Sequence, residues 1–115
     1  MSAVRVWYHV RDLDAGRAFY TKQLGFVETY VDEEGRWARL ERGEMKIALA
    51  EGEPLDETGV ATVDVGDIKG EAERLSGEGI TVGTVLELHG EVRLLDVFDP
   101  DGNRIQLTED VAEGR

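Results

Sequence analysis

The 115-residue sequence contains no cysteine, and this absence excludes several kinds of chemistry together. Disulfide bridges, thiolate zinc sites and cysteine nucleophiles all require a side chain that the protein lacks. Basic residues are also scarce: 13 lysines and arginines stand against 25 aspartates and glutamates, for a formal net charge of −12. Because a surface of this sign repels phosphate backbones, the composition argues against nucleic-acid binding. An acidic surface keeps a small protein in solution, and it also attracts a cationic ligand.

Long apolar segments are missing as well. No apolar run approaches the roughly 18 residues that span a bilayer, and the first residues lack the pattern of a signal peptide. We therefore expect no membrane partner and a cytoplasmic location. The hydrophobic fraction of 41 % is ordinary for a folded protein, and the length suits a single domain, 1–115, with a modest core.

What the sequence does contain is an internal repeat. Two segments, 4–51 and 59–110, each have the pattern of a strand, a helix and three further strands, and a polar linker at 52–58 joins them. Asp12 and Asp67 are placed to cap the two helices. The repeat predicts an α+β fold of two tandem βαβββ modules that form a curved mixed sheet around a cleft.

Three short motifs occur in order within this duplication. They are Asp12-Leu13 before a helix with Phe19-Tyr20 and Leu24-Gly25-Phe26, Val65-Gly66-Asp67-Ile68 before a helix ending at Gly79-Ile80, and Asp99-Pro100-Asp101-Gly102-Asn103-Arg104-Ile105. Together they resemble the vicinal oxygen chelate superfamily, which includes glyoxalase I, extradiol dioxygenases, fosfomycin-resistance enzymes and bleomycin-resistance proteins. The resemblance covers almost the whole chain, and it implies the glyoxalase/bleomycin-resistance fold, usually as a homodimer.

The resemblance also implies a divalent metal, which enzymes of this superfamily usually hold with His, Glu or Gln from the first and last strands of each module. Counting from the helix caps and closing strands, the matching positions carry Arg5, Ala48, Val60 and Gln106. Alanine and valine have no donor, and arginine is cationic, so only Gln106 offers an oxygen. Because one neutral amide does not hold a divalent ion, we expect no metal cofactor.

Alternation along the strands predicts which side chains line the cleft. Those we expect to bind a ligand are Arg5, Trp7, Trp37, Arg39, Thr62, Asp96, Phe98 and Gln106. In the third strand, a match of the two turn glycines makes Asp96 the counterpart of Trp37. Aromatic walls with a few charges suit a small aromatic or cationic organic molecule. The alternative is that both tryptophans belong to the core or a dimer interface and that the arginines pair with surface carboxylates.

His9 and Asp64 are the candidate catalytic residues, because each lies three residues before a helix cap and they therefore occupy matching positions. An imidazole titrates near neutral pH, and a nearby carboxylate orients it as a general base. With Gln106 the pair would also supply a displaced metal site with three donors. The alternatives are a histidine that is hydrogen-bonded within the sheet and an exposed carboxylate at a strand end.

These observations predict a superfamily member without the usual metal ligands that binds a small organic molecule in its cleft. A glyoxalase- or dioxygenase-like enzyme with an atypical metal site, or a metal-free isomerase, is the alternative, and an interaction module with a closed cleft is the third. We also expect a homodimer, because one copy alone would leave sheet edges and an open apolar face in water.

Overall fold

The computed structural model describes residues 4–56 and 58–111, so Glu57 of the predicted linker lies outside the described residues, as do 1–3 and 112–115. The elements run in the order β1 (Val6–Val10), α1 (Leu13–Lys22), β2 (Val27–Asp32), β3 (Trp37–Arg42), β4 (Met45–Glu51), β5 (Ala61–Asp64), α2 (Ile68–Gly77), β6 (Leu86–Leu88), β7 (Val92–Phe98) and β8 (Arg104–Asp110). The prediction of two βαβββ modules is confirmed. We call β1–β4 with α1 module 1, and β5–β8 with α2 module 2.

Neither module contains a helix that is long and apolar enough to cross a membrane, within the part of the chain that the structure describes. Both helices have ten residues. The cytoplasmic location stays a prediction.

Each module forms its own four-stranded mixed sheet, and the two sheets have the same strand order. The order is β1-β4-β3-β2 in module 1 and β5-β8-β7-β6 in module 2. The first strand of each module runs parallel to the last, and the other pairs are antiparallel. The helix between the parallel strands crosses one face of its sheet, which leaves the other face uncovered. We call these uncovered faces open face 1 and open face 2.

Two carboxylates cap the start of each helix. The Asp12 and Asp67 side chains accept hydrogen bonds from the third helical residue at 3.2 and 3.1 Å. Glu51 and Glu109, from the ends of β4 and β8, accept from the first helical amide at 3.0 Å each. Because the first amides of a helix have no partner within it, these four side chains fix where the helices begin.

One apolar core lies on the helix side of both sheets, and strand alternation determines its members. In β1, Val6, Tyr8 and Val10 are buried, whereas Trp7 is exposed on the opposite face. The Tyr8 hydroxyl joins the modules, because it donates to the Arg104 carbonyl and accepts from the first amide of β5 at 2.8 Å. Burial raises the pKa of Tyr8 to about 12.

Asp99, in the loop between β7 and β8, is the centre of a second buried link between the modules. It is 4 % exposed, and its Oδ2 accepts from the Tyr20 hydroxyl of α1 at 2.8 Å. Its Oδ1 accepts from the amides of Asp101 and Asn103 at 2.9 Å each. The Asn103 amide group donates both to Asp99 and to the His9 carbonyl, at 2.9 Å each. Burial and the adjacent Asp99 charge raise the pKa of the Tyr20 hydroxyl above its usual range.

The expected match of Trp37 with Asp96 is wrong by two residues. The turn between β3 and β4 has two residues, whereas the loop between β7 and β8 has five, so the turn glycines are not equivalent. Asp96 pairs with Gln106, the counterpart of the residue that pairs with Arg39, and Asp96 therefore corresponds to Arg39. The counterpart of Trp37 is Leu94. A shift of two keeps every side chain on the predicted face.

The segment 80–88 has a strand-like sequence interrupted at Gly83, and the structure shows the interruption. Only Leu86–Leu88 forms β6, and Val82 makes an isolated bridge to Val97. Gly83 follows that bridge and its amide donates to the Asp96 carbonyl at 2.8 Å, so the backbone remains attached to β7 without a regular ladder.

Candidate functional site

Three aromatic rings lie side by side on open face 1. The ring centroids of Trp7 and Trp37 are 5.6 Å apart, and those of Tyr30 and Trp37 are 5.1 Å apart. Trp7 and Tyr30 are each 47 % exposed. The neighbouring strand contributes only small side chains, since Trp7 pairs with Ala48 and Trp37 with Ala50. The rings and alanines form a shallow aromatic surface on which a flat molecule can stack.

Tyr30 is a member of this surface that the sequence did not reveal. In β2, Glu28 pairs with Leu40, whose side chain is buried on the helix side. A register shift between Glu28 and Tyr30 then places Tyr30 opposite Arg39, on open face 1. A bulge adds one residue and reverses the alternation, so counting by two from Glu28 assigns Tyr30 to the wrong face. No residue type in β2 marks the bulge in advance.

Arg39 lies against this aromatic surface. Its guanidinium carbon is 5.8 Å from the centroid of the Tyr30 ring, and its Nε donates to the Thr29 hydroxyl at 3.2 Å. A guanidinium stacked on a ring keeps its charge and its outer donors available to a ligand. The structure therefore brings three of the predicted ligand-binding residues, Trp7, Trp37 and Arg39, onto one surface.

A second group of predicted residues lines a cavity of about 530 Å³ where the turn between β3 and β4 meets β5. Arg5, Thr62 and Asp64 all face this cavity. The Asp64 carboxylate accepts from the Thr108 hydroxyl at 2.7 Å. The cavity lies between the two modules. The turn residues at its rim do not reveal it in the sequence.

The remaining predicted residues form a polar group on open face 2. Gln106 donates from its side-chain amide to Asp96 at 3.3 Å, and the Arg104 guanidinium lies 3.5 Å from the same carboxylate. Phe98 pairs with Arg104 across the ladder and is half-buried. This group offers hydrogen-bonding partners, in contrast to the rings of open face 1.

His9 and Asp64 occupy equivalent register positions, opposite Ala50 and Thr108 of their closing strands. Among the described residues no hydrogen bond joins the two side chains. The Nδ1 atom of His9 is buried and has no hydrogen-bond partner within the described part of the chain. A catalytic role for the pair stays a prediction, as does the displaced metal site with Gln106.

The positions that correspond to the metal ligands of the superfamily do not fit a divalent ion. They carry Arg5, Ala48, Val60 and Gln106, of which only Gln106 has an oxygen donor. The amide nitrogen of Gln106 is bonded to Asp96. Across residues 4–56 and 58–111, no three His, Cys, Asp or Glu side chains gather into a group able to hold a metal. Zinc and calcium sites require several donors at once, so no chemical step is assigned to a metal here.

The model of the Glyoxalase/Bleomycin resistance protein/Dioxygenase superfamily matches residues 3–107. The chain belongs to this superfamily, as the motifs and the duplicated fold indicated. A comparison with curated proteins finds no match.

Several solved structures have a similar fold. An integron cassette protein from the mobile metagenome of the Halifax Harbour sewage outfall has a TM-score of 0.79 at 22 % identity, over 94 % of this chain and 97 % of that one. The fosfomycin resistance protein FosX from Listeria monocytogenes has a TM-score of 0.78 at 20 % identity, over 100 % and 98 %. Lactoylglutathione lyase from Agrobacterium tumefaciens has a TM-score of 0.72 at 18 % identity, over 99 % and 97 %. These likenesses show the fold alone.

Proposed function

We propose that this protein binds a small aromatic or cationic organic molecule on open face 1, without a metal. The observation that supports the proposal is the exposed cluster of Trp7, Trp37 and Tyr30 over two alanines. The sequence has only two tryptophans, and both lie on this face instead of in the core. Large rings left in water cost hydrophobic free energy, and such exposed patches mark binding sites.

The rings accept either of two ligand classes. A flat aromatic molecule stacks on them, and a cation is attracted to the negative ring face. The net charge of −12 favours a cation at long range. Thr62, Asp96, Phe98 and Gln106, which the sequence also predicts to bind a ligand, lie in module 2 and do not belong to this aromatic surface.

We test this function with calorimetric titration of naphthol, a flat and neutral probe. We expect binding to weaken by about tenfold in Trp37→Ala, because a stacked ring pair is lost. Leu94→Ala, at the equivalent position of module 2, is the matched control and should change the affinity by less than about twofold. The function is rejected if naphthol gives no heat of binding, or if Trp37→Ala binds it as well as the unaltered protein does.

Metal independence belongs to the proposal, because only one of the four superfamily ligand positions carries a donor. We expect naphthol binding to be unchanged after dialysis against a chelator. Elemental analysis of the purified protein provides the second measurement. A stoichiometric transition metal whose removal abolishes binding would contradict this part of the proposal.

We infer a homodimer from the apolar side chains that a single copy leaves in water. Leu86 and Leu88 of β6 are 54 % and 46 % exposed, and Trp7 and Tyr30 are each 47 % exposed on the other module. The strands β2 and β6 also end their sheets without a neighbouring strand. Exposed apolar side chains on an edge strand favour association. Sedimentation at the concentration of the binding assay should give twice the chain mass, and a monomer there would contradict the inference.

An enzymatic function is the second candidate, and the buried Nδ1 atom of His9 supports it. Buried polar atoms without a partner are rare in folded proteins, and a ligand bound beside β1 would supply the missing partner. His9 would then act as a general base in an isomerase, or in a glyoxalase- or dioxygenase-like lyase or oxidoreductase with an atypical metal site. Turnover of glyoxalase or dioxygenase substrates that disappears in a folded His9→Ala protein would establish this candidate.

A further inference from the structure

We propose that the molecule bound on open face 1 carries an anionic group beside its flat ring, and that Arg5 and Arg39 bind this group. The inference rests on the proposed function and narrows its ligand class to aromatic carboxylates, sulfonates or phosphate esters. It starts from the partners of the arginines in an unusually acidic chain.

Nine arginines lie within the described residues, in a chain with 25 acidic and 13 basic residues. Those with a carboxylate oxygen within 4.0 Å are Arg11, Arg17, Arg36, Arg74, Arg93 and Arg104. Arg42 donates to the Leu24 carbonyl at 2.6 Å. Among the described residues, Arg5, Arg39 and Arg42 have no carboxylate within 4.0 Å, and of these three only Arg42 has a terminal guanidinium nitrogen bonded to the chain. Arg39 lies against the aromatic surface of open face 1, and Arg5, two residues before Trp7, lines the cavity beside β5, although carboxylates are abundant elsewhere in the chain.

Arg39 is held in a fixed position with its charge uncompensated. Its Nε donates to Thr29 and its guanidinium stacks on Tyr30. Its two terminal nitrogens have no hydrogen-bond partner in the described part of the chain. A guanidinium fork with free outer donors fits the two oxygens of a carboxylate or phosphate, and little side-chain entropy is lost when it is already stacked.

Arg5 lies on the other side of the aromatic surface. Its backbone amide donates to the Lys46 carbonyl at 2.8 Å, which fixes it beside β4. It precedes Trp7 by two residues and therefore shares its face. Strand spacing places the Cα atoms of Arg5 and Arg39 roughly 12 Å apart. Trp7 is level with Arg39 across β4 and is two residues from Arg5 along the chain, so a flat ring on Trp7 would have one guanidinium across the sheet and one along the strand.

The acidic side chains of β2 and β3 that lie on open face 1 are already bonded. Glu41 lies 3.9 Å from Lys46, and Asp32 accepts from the Gly35 amide at 2.8 Å. The net charge of −12 is distributed over the whole surface, and ions screen its more distant members beyond about 8 Å at physiological ionic strength. A ligand in contact with the rings therefore experiences the two arginines most strongly. A cation there would meet uncompensated like charges, whereas an anion would be attracted.

Two probes with the same ring and opposite charge test the inference: naphthoate and naphthylmethylammonium. By calorimetry we expect naphthoate to bind at least about tenfold more tightly, as charge-assisted hydrogen bonds imply. Arg5→Gln and Arg39→Gln should each lower the affinity for naphthoate by about five- to tenfold. The affinity for neutral naphthol should stay within about twofold. Arg93→Gln, which alters an arginine paired with a carboxylate in module 2, is the matched control and should change neither affinity.

Collisional quenching of tryptophan fluorescence provides a test without a ligand, because both tryptophans lie on open face 1. Quenching by iodide, normalised to quenching by neutral acrylamide, should fall in Arg5→Gln and Arg39→Gln and stay constant in Arg93→Gln. Unchanged iodide quenching in both variants would show no local positive potential and would overturn the inference.

The remaining outcomes separate the inference from the proposed function. Equal or tighter binding of naphthylmethylammonium overturns the inference but leaves the proposed function intact. If none of the three naphthyl probes binds, the proposed function is rejected, and the inference with it. If Arg5→Gln or Arg39→Gln converts a dimer to a monomer, the guanidinium pairs with carboxylates of a second copy and the inference is overturned.

Discussion

Modules 1 and 2 have the same architecture, and each contains an equivalent ion pair beside the start of its helix. In module 1, Arg36 lies 3.0 Å from Glu51, and Glu51 caps α1. In module 2, Arg93 lies 3.6 Å from Glu109, and Glu109 caps α2. Strand order, helix length and cap chemistry are the same in both copies. The features that the two modules share are therefore the strand order and the carboxylates that cap the helices.

The open faces of the two modules are different at every equivalent position of the central row. In module 1 the row across β1, β4 and β3 is Trp7, Ala48 and Arg39, and in module 2 it is Thr62, Gln106 and Asp96. One face is aromatic with uncompensated positive charge, and the other is polar with a carboxylate. The side chains of the open faces do not contribute to the shared core. They can therefore differ between the modules without destabilising the fold.

The junction between the modules is unequal as well. Its hydroxyl groups come from Tyr8 and Tyr20 of module 1, whereas the equivalent positions of module 2 carry Val63 and Leu75. Both tyrosines bond to module 2, and Tyr20 bonds to the loop that contains Asp99. The comparison therefore predicts that the junction depends on residues without a counterpart in the other copy.

The largest effect is expected for Asp99→Ala, which removes the acceptor at the centre of the junction. Tyr20 and two backbone amides would lose their partner in a buried site, so we expect unfolding free energy to fall by about 3–5 kcal/mol. Urea denaturation measures this loss. Tyr20→Phe removes one bond only and should cost about 1–2 kcal/mol. A loss for Asp99→Ala no larger than that of Tyr20→Phe would show that the network does not hold the modules together.

A somewhat smaller effect is expected from alkaline pH. The folded-state pKa of Tyr8 is raised from 10.0 to about 12, so the hydroxyl contributes stability that is complete below pH 10 and is lost as pH rises through 12. A shift of this size corresponds to about 2–3 kcal/mol. Tyr8→Phe should lessen the decline of unfolding free energy above pH 10, and the part that remains is due to Tyr20, whose pKa is also raised. The decline should persist in Tyr30→Phe, since Tyr30 lies on an exposed surface.

On the open faces we expect an effect on binding with little effect on stability. Ala50→Leu fills the space between Trp37 and His9 and blocks access to the rings. The affinity for naphthol should therefore fall by about tenfold. Thr108→Leu makes the equivalent change in module 2, and the affinity should stay within about twofold. Equal losses in the two variants would mean that the ligand contacts both faces alike.

The smallest effects are expected at the two helix ends. Gly25 and Gly79 follow α1 and α2 with φ of +70° and +81°, a region that other residues rarely adopt. An added Cβ has no contact closer than 3.5 Å at Gly25 and none within 4 Å at Gly79, so backbone strain alone opposes alanine. Each Gly→Ala variant should lose about 1 kcal/mol of unfolding free energy. Thermal denaturation measures both losses. Losses that differed severalfold would show that the two helix ends are not energetically equivalent.

Local chemistry explains which features the sequence predicted. The caps Asp12 and Asp67 and the alternation of β1 and β5 depend on neighbours a few residues away, and they are confirmed. The side of the sheet on which Tyr30 lies depends on a bulge in β2. The residue of module 2 that corresponds to Trp37 depends on the length of the loop between β7 and β8. Neither feature is visible from the residue types in the strands themselves. The motif from Asp99 to Ile105 is visible in the sequence, but the bond that Asp99 accepts from Tyr20 of α1 joins residues far apart in the chain and exists only in the folded protein.

The loop that carries Asp99 lies in module 2, yet it bonds to Tyr20 and, through Asn103, to the His9 carbonyl of module 1. A partial opening of either module would strip a buried acceptor or donor from the other without water to replace it. Melting of the two repeats is therefore coupled, and the chain should unfold in a single transition.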